Sequence, residues 1–491
     1  MKLPNSEDLN EQQVAVFMAG LKDDLLVCGP PGTGKTVMAL YRAQMINRID
    51  SNTKFWVIMY NRLLRRYTEN NLDEGDFLNG EFVSKRIRTM HQWIYAWGKN
   101  WGWGSPELAP FLYDWDEVLK RLIGKDPKIQ KRATNWNHII IDEGQDFAPG
   151  FYKMLQIVKM LGVSFDKEMA LTVFADENQR IDEKANSSIE DIRKEIKFSK
   201  GVVTSLTTNY RNSKQVAELA AHFYVGLSTG IPEMPERDGP LSPSLFSFSS
   251  HLDEVERIAN FAQQNDDLAV GVIVENNYIR EGVVNILNRR LEDTDIDVQT
   301  YHSGITKDEL AAMQLEDSGA VVVVCGASCK GLEFDAVFIP SLEKYSLNPA
   351  QETEFKMNMY VRISRARDYL FMSYVSSDRS NPKILDSLPR SLVEKCEHVT
   401  GNPNRSLGEK APIAVAHDLS SNKKVSASDG ALVINGFTLS VYGKAILIKG
   451  NTLPIKDEIK SMGGKWFRKE SCWMFGGRRR AEVVEFLEKQ I

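Results

Sequence analysis

A glycine-rich octapeptide near the N-terminus has the residues needed to bind phosphate. It comprises Gly29, Pro30, Pro31, Gly32, Thr33, Gly34, Lys35 and Thr36, and it matches the phosphate-loop pattern in full. The apolar run Leu25–Cys28 precedes it and the helical pattern Val37–Asn47 follows it, which is the context that the pattern requires. Glycines let backbone N–H groups curl around phosphates, and the helix N-terminus adds a positive dipole. We expect Lys35 to reach the β- and γ-phosphates of a nucleotide and the Thr36 hydroxyl to bind Mg²⁺.

Two adjacent acids further along the chain could complete a magnesium site and activate water. The run His138–Ile141 predicts a buried strand, and it ends directly in Asp142 and Glu143. We expect Asp142 to hold Mg²⁺ through water, and Glu143 to polarise the water that attacks the terminal phosphate. A run of isoleucines that ends in two carboxylates is not expected of a strand that serves only to fill the hydrophobic core. The two motifs together predict ATP hydrolysis with Mg²⁺ as the cofactor.

The elements that must position these residues are indicated by short apolar runs, each followed by a helical pattern. The runs are Leu25–Cys28, Phe55–Met59, His138–Ile141, Ala170–Ala175, Val270–Val274, Ala320–Cys325 and Leu370–Tyr374. Runs of this length suit strands that are buried on both faces of a parallel sheet, and their alternation with helices predicts an α/β fold. Because the runs form two groups, before and after about residue 205, we expect two similar sheet domains.

The predicted domains are 1–205, 206–400 and a small α+β module at 431–491, with a linker at 401–430. Residues 72–136 lack the β/α rhythm, so we interpret them as a mostly helical insert in the first domain. This insert is rich in tryptophan, namely Trp93, Trp97, Trp101, Trp103 and Trp115. Indole rings can stack on single-stranded bases, but the spacing of Trp93 and Trp97 equally suits a helix core.

The residues around the acidic pair resemble motif II of superfamily 1 helicases of the UvrD/Rep type, Asp142-Glu143-Gly144-Gln145-Asp146. Other motifs resemble those of the same family and occur in the family order. They are Leu9-Asn10-Glu11-Gln12-Gln13, Met59-Tyr60-Asn61, Thr89-Met90-His91, Phe174-Ala175-Asp176-Glu177-Asn178-Gln179, Asn209-Tyr210-Arg211, Lys330-Gly331-Leu332-Glu333-Phe334 and Tyr360-Val361-Arg362-Ile363-Ser364-Arg365-Ala366-Arg367. The resemblance covers residues 9 to about 375 and implies that the two sheet domains are RecA-like.

The resemblance also implies a role for each motif. Gln13 would read the adenine edge, Tyr210 would stack on adenine, Glu333 would hold the ribose, Gln179 and Arg211 would contact the γ-phosphate, and Arg365 would be an arginine finger. Arginine suits the last task because its fork stays charged and grips phosphate oxygens. The motifs that contain Tyr60 and His91 would lie along the single-strand track.

The sequence departs from the family pattern at several positions. Val37 stands where an arginine often follows the phosphate-loop threonine, Arg180-Ile181-Asp182 replaces a Ser-Ile-Tyr run, and Cys325–Cys329 lacks the usual Thr-x-His. We interpret these changes as falling on the nucleic-acid side and not on the ATP side, so ATP hydrolysis is a firmer expectation than efficient unwinding. Arg211 and Lys330 are only 119 positions apart, and we therefore expect the second accessory domain to be absent or vestigial.

Charge is distributed unevenly, which bears on the partner. The chain carries −5, but residues 431–491 hold 11 Lys and Arg against 6 Asp and Glu, which leaves −10 for the rest. This module, predicted as strand, strand, helix, strand, helix, interleaves Trp466 and Trp473 with basic residues such as Arg478–Arg480. That composition suits a strand-binding surface, although the two tryptophans could equally form the core of a tiny domain.

The expected function is ATP-dependent helicase or translocase activity on single-stranded DNA, with the 3′→5′ polarity that the resemblance implies. Two alternatives stay open: RNA as the track, and an ATP-gated regulatory subunit that binds nucleic acid without unwinding it. The five cysteines show no CxxC spacing, so neither zinc nor a disulfide framework is expected. No apolar run is long enough to span a bilayer, and we expect a cytoplasmic protein.

Overall fold

The structure is a computed structural model of the chain. It describes residues 8–49, 53–60, 86–101, 107–109, 112–124, 127–179, 186–196, 203–302, 304–306, 309–310, 313, 319–345, 351–376, 382–399, 432–434, 437–442, 445–449, 452, 455–462, 464–467, 472–476, 479, 483–484 and 486–487. The chain divides into two compact units, Met1–Ser406 and Leu407–Ile491. The predicted linker at 401–430 lies outside the described residues.

The first unit contains both large sheets. Its strands are, in chain order, β1 (Leu25–Cys28), β2 (Phe55–Met59), β3 (Ile87–Thr89), β4 (Glu107–Ala109), β5 (Leu112–Tyr113), β6 (His138–Ile141), β7 (Ala170–Ala175), β8 (Val203–Ser205), β9 (Ser244–Phe248), β10 (Val270–Val274), β11 (Asp297–Thr300), β12 (Ala320–Cys325), β13 (Phe334–Ile339), β14 (Ala366–Val375) and β15 (Glu394–Val399). Its described helices are α1 (Glu11–Met18), α2 (Lys35–Ile49), α3 (Met90–Trp101), α4 (Trp115–Ile123), α5 (Pro127–Ala133), α6 (Pro149–Val163), α7 (Ile189–Ile196), α8 (Lys214–His222), α9 (His251–Gln264), α10 (Asn277–Arg290) and α11 (Glu352–Ile363).

The first sheet is parallel throughout, in the order β3-β2-β6-β7-β1-β8. Its strands have few polar side chains because both faces are covered: Leu25 and Val27 pack into one core with helix α2, while Leu26 and Cys28 pack into a second core with α6. The strand before the phosphate loop and the strand before Asp142 are separated by β7 alone. Their carboxyl ends therefore meet at one edge of the sheet.

The second sheet is also parallel, in the order β11-β12-β10-β13-β14-β9-β15. Its neighbouring strands β10 and β12 consist largely of valine and isoleucine, as is typical of parallel strands with two covered faces. The core that covers α2 continues through α8 and α11 to this sheet. The α/β fold class with two parallel-sheet domains is thus confirmed, and each strand predicted above matches a strand or lies within one.

The interval 72–136 differs from the predicted helical insert. Its strand β3 pairs in parallel with Val57–Met59 and forms the edge of the first sheet, so this part of the interval belongs to the sheet domain. A strand of three residues is too short to show a periodic signal, which is why the sequence did not indicate it. The rest of the described interval contains α3, α4, α5 and the small antiparallel pair β4–β5.

The second unit is a small α+β module. Its antiparallel sheet has the order β16-β17-β18-β20-β19, formed by β16 (Leu432–Ile434), β17 (Phe437–Tyr442), β18 (Ala445–Lys449), β19 (Lys465–Phe467) and β20 (Cys472–Gly476), with helix α12 (Lys456–Ser461) between β18 and β19. Five strands replace the three that the sequence predicted. The extra ones, β16 and β19, have three residues each, which again leaves no readable alternation.

No helix in the described part of the chain is long and apolar enough to cross a bilayer.

Candidate nucleotide-binding site

The phosphate loop lies between β1 and the first turn of α2. Gly32 and Gly34 adopt φ values of 80° and 84°, a region that favours glycine. A Cβ atom on Gly34 would come within 2.9 Å of the Gln13 amide nitrogen, and one on Gly32 within 2.7 Å of the Asn209 side-chain oxygen. The loop is therefore a tight backbone cradle in which side chains at these two positions would be obstructed.

Lys35 is the buried cation of this cradle. Its Nζ donates to the carbonyl oxygens of Gly29 at 2.7 Å and of Pro30 at 2.9 Å. The Asp176 carboxylate, at the end of β7, lies 3.8 Å from the same nitrogen. Burial raises the pKa of Asp176 to about 6, an effect that the positive charge of Lys35 opposes. The Lys35 ammonium thus lies at the carboxyl ends of the strands, where we expect the phosphates of the nucleotide.

Thr36 and Asp142 are brought together as the predicted metal residues. The threonine hydroxyl donates to Asp142 Oδ2 at 2.8 Å across a sequence separation of 106 residues. Burial and the neighbouring charge of Glu143 raise the pKa of the Asp142 carboxyl, which a cation would counteract. One hydroxyl and one carboxylate fit Mg²⁺, which usually takes few protein ligands and completes its shell with water and phosphate oxygens. Among the described residues, no group of three His, Cys, Asp or Glu could hold a metal by itself.

Glu143 is held in a strained backbone conformation, with φ 53° and ψ 49°. Its Oε2 accepts a hydrogen bond from Gln145 Nε2 at 2.7 Å. The amide oxygen of Gln145 accepts the backbone N–H of Asp176 at 2.9 Å. Such conformations cost free energy and persist where the surroundings over-determine them, often at functional sites. Gln145 thereby fixes the predicted water-activating carboxylate relative to the loop after β7.

The second sheet domain contributes two arginines to the same region. Arg211 Nε donates to Glu333 Oε2 at 2.9 Å. Burial alone would raise the pKa of Glu333, but the charge and hydrogen bond of Arg211 act together with other nearby positive charges, including Arg367, and hold the pKa below its usual value. Arg365 donates through Nη2 to Gln179 Oε1 at 3.2 Å, a contact that crosses from the second sheet domain to the first. Burial, followed by the charge of Arg211, lowers the pKa of the Arg365 guanidinium.

These side chains line one cavity of about 390 Å³. The predicted residues that line it are Gln13, Pro31, Gly32, Thr33, Gly34, Lys35, Thr36, Glu143, Gln179, Tyr210, Arg211, Glu333 and Arg365. Three predicted residues do not line it: Gly29 and Pro30, whose carbonyl groups accept from Lys35, and Asp142, which accepts from Thr36. The individual roles stay predictions, but the residues proposed for one nucleotide do converge on one space.

Four further residues line the cavity without having been predicted: Asp8, Val37, Gly331 and Arg367. Val37 directly follows the predicted residue Thr36, Gly331 belongs to the motif that contains Glu333, and Arg367 ends the motif that contains Arg365, so proximity to the motifs was the available signal. Arg367 Nη1 also lies 3.5 Å from Asp335 Oδ1. Asp8 carried no signal, because nothing in its sequence neighbourhood distinguishes it from a surface acid.

Gln13 and Tyr210 stand beside the cradle as the predicted base-contacting residues. Gln13 closes a capping box at the start of α1, in which its Oε1 accepts from the Asn10 backbone N–H and its own backbone N–H donates to Asn10 Oδ1. The backbone N–H of Tyr210 donates to the Gly32 carbonyl at 2.9 Å. Tyr210 is 49% exposed, which leaves its side chain accessible for stacking on a base.

Comparison with known proteins identifies the family. The model for the UvrD-like helicase C-terminal domain matches residues 35–377, a range that includes most strands of both sheets of the first unit. The chain belongs to this helicase family. No curated protein matches the chain.

Two solved structures resemble it more distantly. The C-terminal domain of a possible DNA helicase from Lactobacillus plantarum WCFS1 is 19% identical over 39% of this chain and 100% of that one, with a TM-score of 0.29. The DUF1998 helicase MrfA bound to DNA is 11% identical over 75% of this chain and 49% of that one, with a TM-score of 0.42. The chain thus spans about half the length of MrfA, and TM-scores this low do not bear on the assignment.

The predicted track motifs of this helicase-family chain meet in an aromatic cluster at the carboxyl ends of β2 and β3. His91 Nδ1 lies 2.9 Å from the Tyr113 hydroxyl, and the two rings stack with centroids 5.5 Å apart. Tyr60 meets His91 edge-on at 6.2 Å. Burial lowers the pKa of His91 to about 4, so the imidazole is neutral near neutral pH. Asn61 and the run 180–182 lie outside the described residues.

Two of the tryptophans considered for base stacking have side chains that the structure describes, and both are buried. Trp93 is 4% exposed and packs edge-on against Phe151, so the structure assigns it to the core of the first domain. Trp473 is 3% exposed and donates through Nε1 to Thr452 Oγ1, which makes it core of the second unit. The suggestion that these two rings stack on nucleic-acid bases is therefore wrong, because both are buried in the protein core. The side chains of Trp97, Trp101 and Trp466, together with Trp103, Arg478 and Arg480, lie outside the described residues.

Proposed function

We propose that the chain is an ATP-driven superfamily 1 helicase or translocase that acts on single-stranded DNA, with Mg²⁺ as its cofactor. The observation that carries the proposal is the shared cavity, where the phosphate loop and Glu143 of the first sheet domain face Arg211 and Arg365 of the second. Membership of a helicase family is consistent with it. A nucleotide in this cavity would contact both domains, so its binding and loss would change how firmly they are held together.

Each chemical task falls to a side chain already placed. Lys35 would leave the carbonyl groups of Gly29 and Pro30 for phosphate oxygens, and Thr36 and Asp142 would hold the cation. Bound Mg²⁺ would neutralise charge that develops on the phosphate oxygens. Glu143, fixed by Gln145, would orient and polarise the attacking water.

The second domain would supply the charges that make hydrolysis depend on closure. Arg365 already faces Gln179 across the cleft, and Arg211 faces Glu333 beside it. Arginine donors of this kind stabilise charge on the transferred phosphoryl group more than charge in the ground state. Because they belong to the opposite sheet domain, turnover would require both domains to close on the nucleotide. Alternate closing and opening can then become directed movement along a strand.

The choice of single-stranded DNA and of 3′→5′ polarity rests on the family resemblance. The aromatic cluster of Tyr60, His91 and Tyr113 would form a wall for the strand, because Tyr60 and His91 remain partly accessible. The segment Cys325–Cys329 lacks the family's Thr-x-His run, a change that we assigned to the nucleic-acid side. We therefore expect unwinding to be weaker than translocation. Two alternatives remain: RNA as the track, and a nucleotide-gated binding protein that does not unwind. The ATPase assay described next distinguishes both from a DNA helicase.

The deciding experiment is steady-state ATPase activity with single-stranded DNA, with single-stranded RNA and with neither. Glu143→Gln is the blank, since it keeps the shape of a side chain that accepts from Gln145 while removing the base. Strong stimulation by DNA, lost in the variant, would support the proposal, and a strand-displacement assay with 3′ or 5′ tails would then establish polarity. Stimulation by RNA alone would move the track to RNA. Turnover indifferent to both nucleic acids, but lost in the variant, would exclude the helicase and leave an ATP-driven switch.

A further inference from the structure

A buried ion pair joins the two sheet domains next to the nucleotide cavity. Lys330 Nζ, in the segment between β12 and β13, lies 2.6 Å from Asp146 Oδ1, in the turn after β6. The two side chains are 8% and 3% exposed. Neither residue lines the cavity, and no role in nucleotide chemistry has been given to either above.

Each partner is connected to a residue that lines the cavity, Asp146 by a backbone hydrogen bond and Lys330 by the chain itself. The backbone N–H of Asp146 donates to the Glu143 carbonyl at 2.9 Å, within a single helical turn. On the other side, Lys330 is followed at once by Gly331, and Glu333 comes two residues later. The pair is therefore a short mechanical link between the water-activating carboxylate of one domain and the predicted ribose-binding segment of the other.

The alternative for Lys330 is to serve as a phosphate ligand, as a lysine in such a motif could. Its geometry does not favour that role, because its ammonium is committed to a carboxylate at charge-assisted hydrogen-bond distance and is enclosed. Asp146 in turn is next to Glu143, whose negative charge would make an unpaired carboxylate here unfavourable. Breaking a buried pair by removing one partner leaves an uncompensated charge, which is far more costly than losing an exposed pair.

The ion pair between Lys330 and Asp146 joins two different sheet domains, unlike a comparable ion pair elsewhere in the first unit. Lys159 and Asp24 also form a close, mostly buried pair, but both belong to the first sheet domain. Opening the cleft leaves that pair intact, whereas it must separate Lys330 from Asp146 and expose both charges to water.

We propose that Asp146 and Lys330 are positioning residues that couple the domains, so that ATP turnover is fast only while the ion pair holds the second domain against Glu143. The inference rests on the proposed function, since it concerns the same ATP cycle. It predicts that the pair acts as one unit: loss of either partner uncouples the domains, and loss of the second adds nothing.

The test is a double-mutant cycle with Asp146→Asn, Lys330→Met and the double variant, and Lys159→Met as the matched control. Coupling energies between sites typically correspond to about 5–150-fold changes. We expect each single variant to lower the DNA-stimulated kcat by a factor in this range, with the KM for ATP changed by less than about threefold. The double variant should be no slower than the slower single variant, and Lys159→Met should retain wild-type stimulation. Lys330→Arg, which keeps the charge, should recover part of the loss.

A second measurement does not depend on activity. Hydrogen exchange of the backbone amides at 326–334 should be faster in both single variants, and to a similar extent. Additive effects on kcat, or an unchanged exchange rate in the variants, would overturn the proposal. A rise in KM confined to Lys330→Met would instead make the lysine a phosphate ligand. If the wild type shows no ATPase activity, the proposed function fails, and hydrogen exchange still decides whether the pair holds the domains together.

Discussion

Arg365 offers the sharpest prediction, because its surroundings are unusual for a buried cation. It is 1% exposed. Its guanidinium donates to the carbonyl oxygens of Val361 and Leu332, to the Ser364 hydroxyl and to Gln179 Oε1. All of these acceptors are neutral, and no carboxylate of the described residues accepts a hydrogen bond from it. The guanidinium is thus oriented by the protein but not neutralised by it, which suits a group whose charge partner is a phosphoryl oxygen.

The expected size of the effect follows from that assignment. An arginine finger contributes about 10³–10⁵-fold to kcat, which is about 4–7 kcal/mol of transition-state stabilisation at 1.36 kcal/mol per tenfold. Arg365→Ala should therefore lower the stimulated kcat by at least about 10³-fold. Arg365→Lys keeps the charge but loses the fork, so it should fall between the wild type and Arg365→Ala. The KM for ATP should change little, since the contact strengthens mainly in the transition state.

The assay is single-turnover hydrolysis at saturating single-stranded DNA, together with nucleotide affinity measured by equilibrium titration. Arg290→Ala is the control, because Arg290 is half-exposed at the end of α10 and, within the described part of the chain, forms an ion pair with Glu256 alone. Thermal unfolding of each variant separates loss of catalysis from loss of fold. A turnover within about fivefold of the wild type, or a loss explained wholly by weaker ATP binding, would refute the arginine-finger assignment.

Two further predictions concern stability. Trp473→Ala should destabilise the second unit by about 3–5 kcal/mol, because the ring fills its core; chemical denaturation of the full chain measures this, and a drop in DNA affinity without a stability loss would contradict it. His138 is buried against Thr172, and burial together with the charge of Arg42 lowers its pKa from 6.5 to about 3. Since the unfolded chain binds the proton more readily, the stability from the neutral imidazole is complete above about pH 6.5 and is lost as the pH falls towards 3. His138→Gln should flatten this acid-induced loss in unfolding curves between pH 6.5 and 4, and an unchanged pH slope would exclude the histidine as its source.

The first sheet shows what could be predicted from the sequence and why. Strands such as His138–Ile141 are buried on both faces, so they read as uninterrupted apolar runs. The phosphate loop, Asp142 and the residues after β7 follow such runs directly. Because parallel strands end at a common edge, residues far apart in the chain could be expected to meet there, and the hydrogen bond between Thr36 and Asp142 is the outcome.

Short elements and aromatic side chains were less predictable. β3 has three residues, and its place in the sheet depends on pairing with β2, which no local pattern reveals. Trp93 and Trp473 had residue types and neighbours that suited base stacking as well as core packing. Only the fold decides between them, because burial of a ring depends on what covers it: Phe151 for Trp93 and the small sheet of the second unit for Trp473.

The contacts that cross between the two sheet domains were the least accessible to sequence reasoning, and they matter most for the proposed motor. The motifs predicted that Gln179 and Arg365 would share one nucleotide, but not that they would hydrogen-bond each other. Asp146 and Lys330 were motif residues without a stated partner, and their pairing depends on how the turn after β6 meets the segment before β13. A nucleotide-driven machine needs contacts that form in one arrangement of its domains and break in another. Buried charges suit that purpose better than apolar contacts, since separating them exposes groups that water solvates strongly and that repack only with one specific partner.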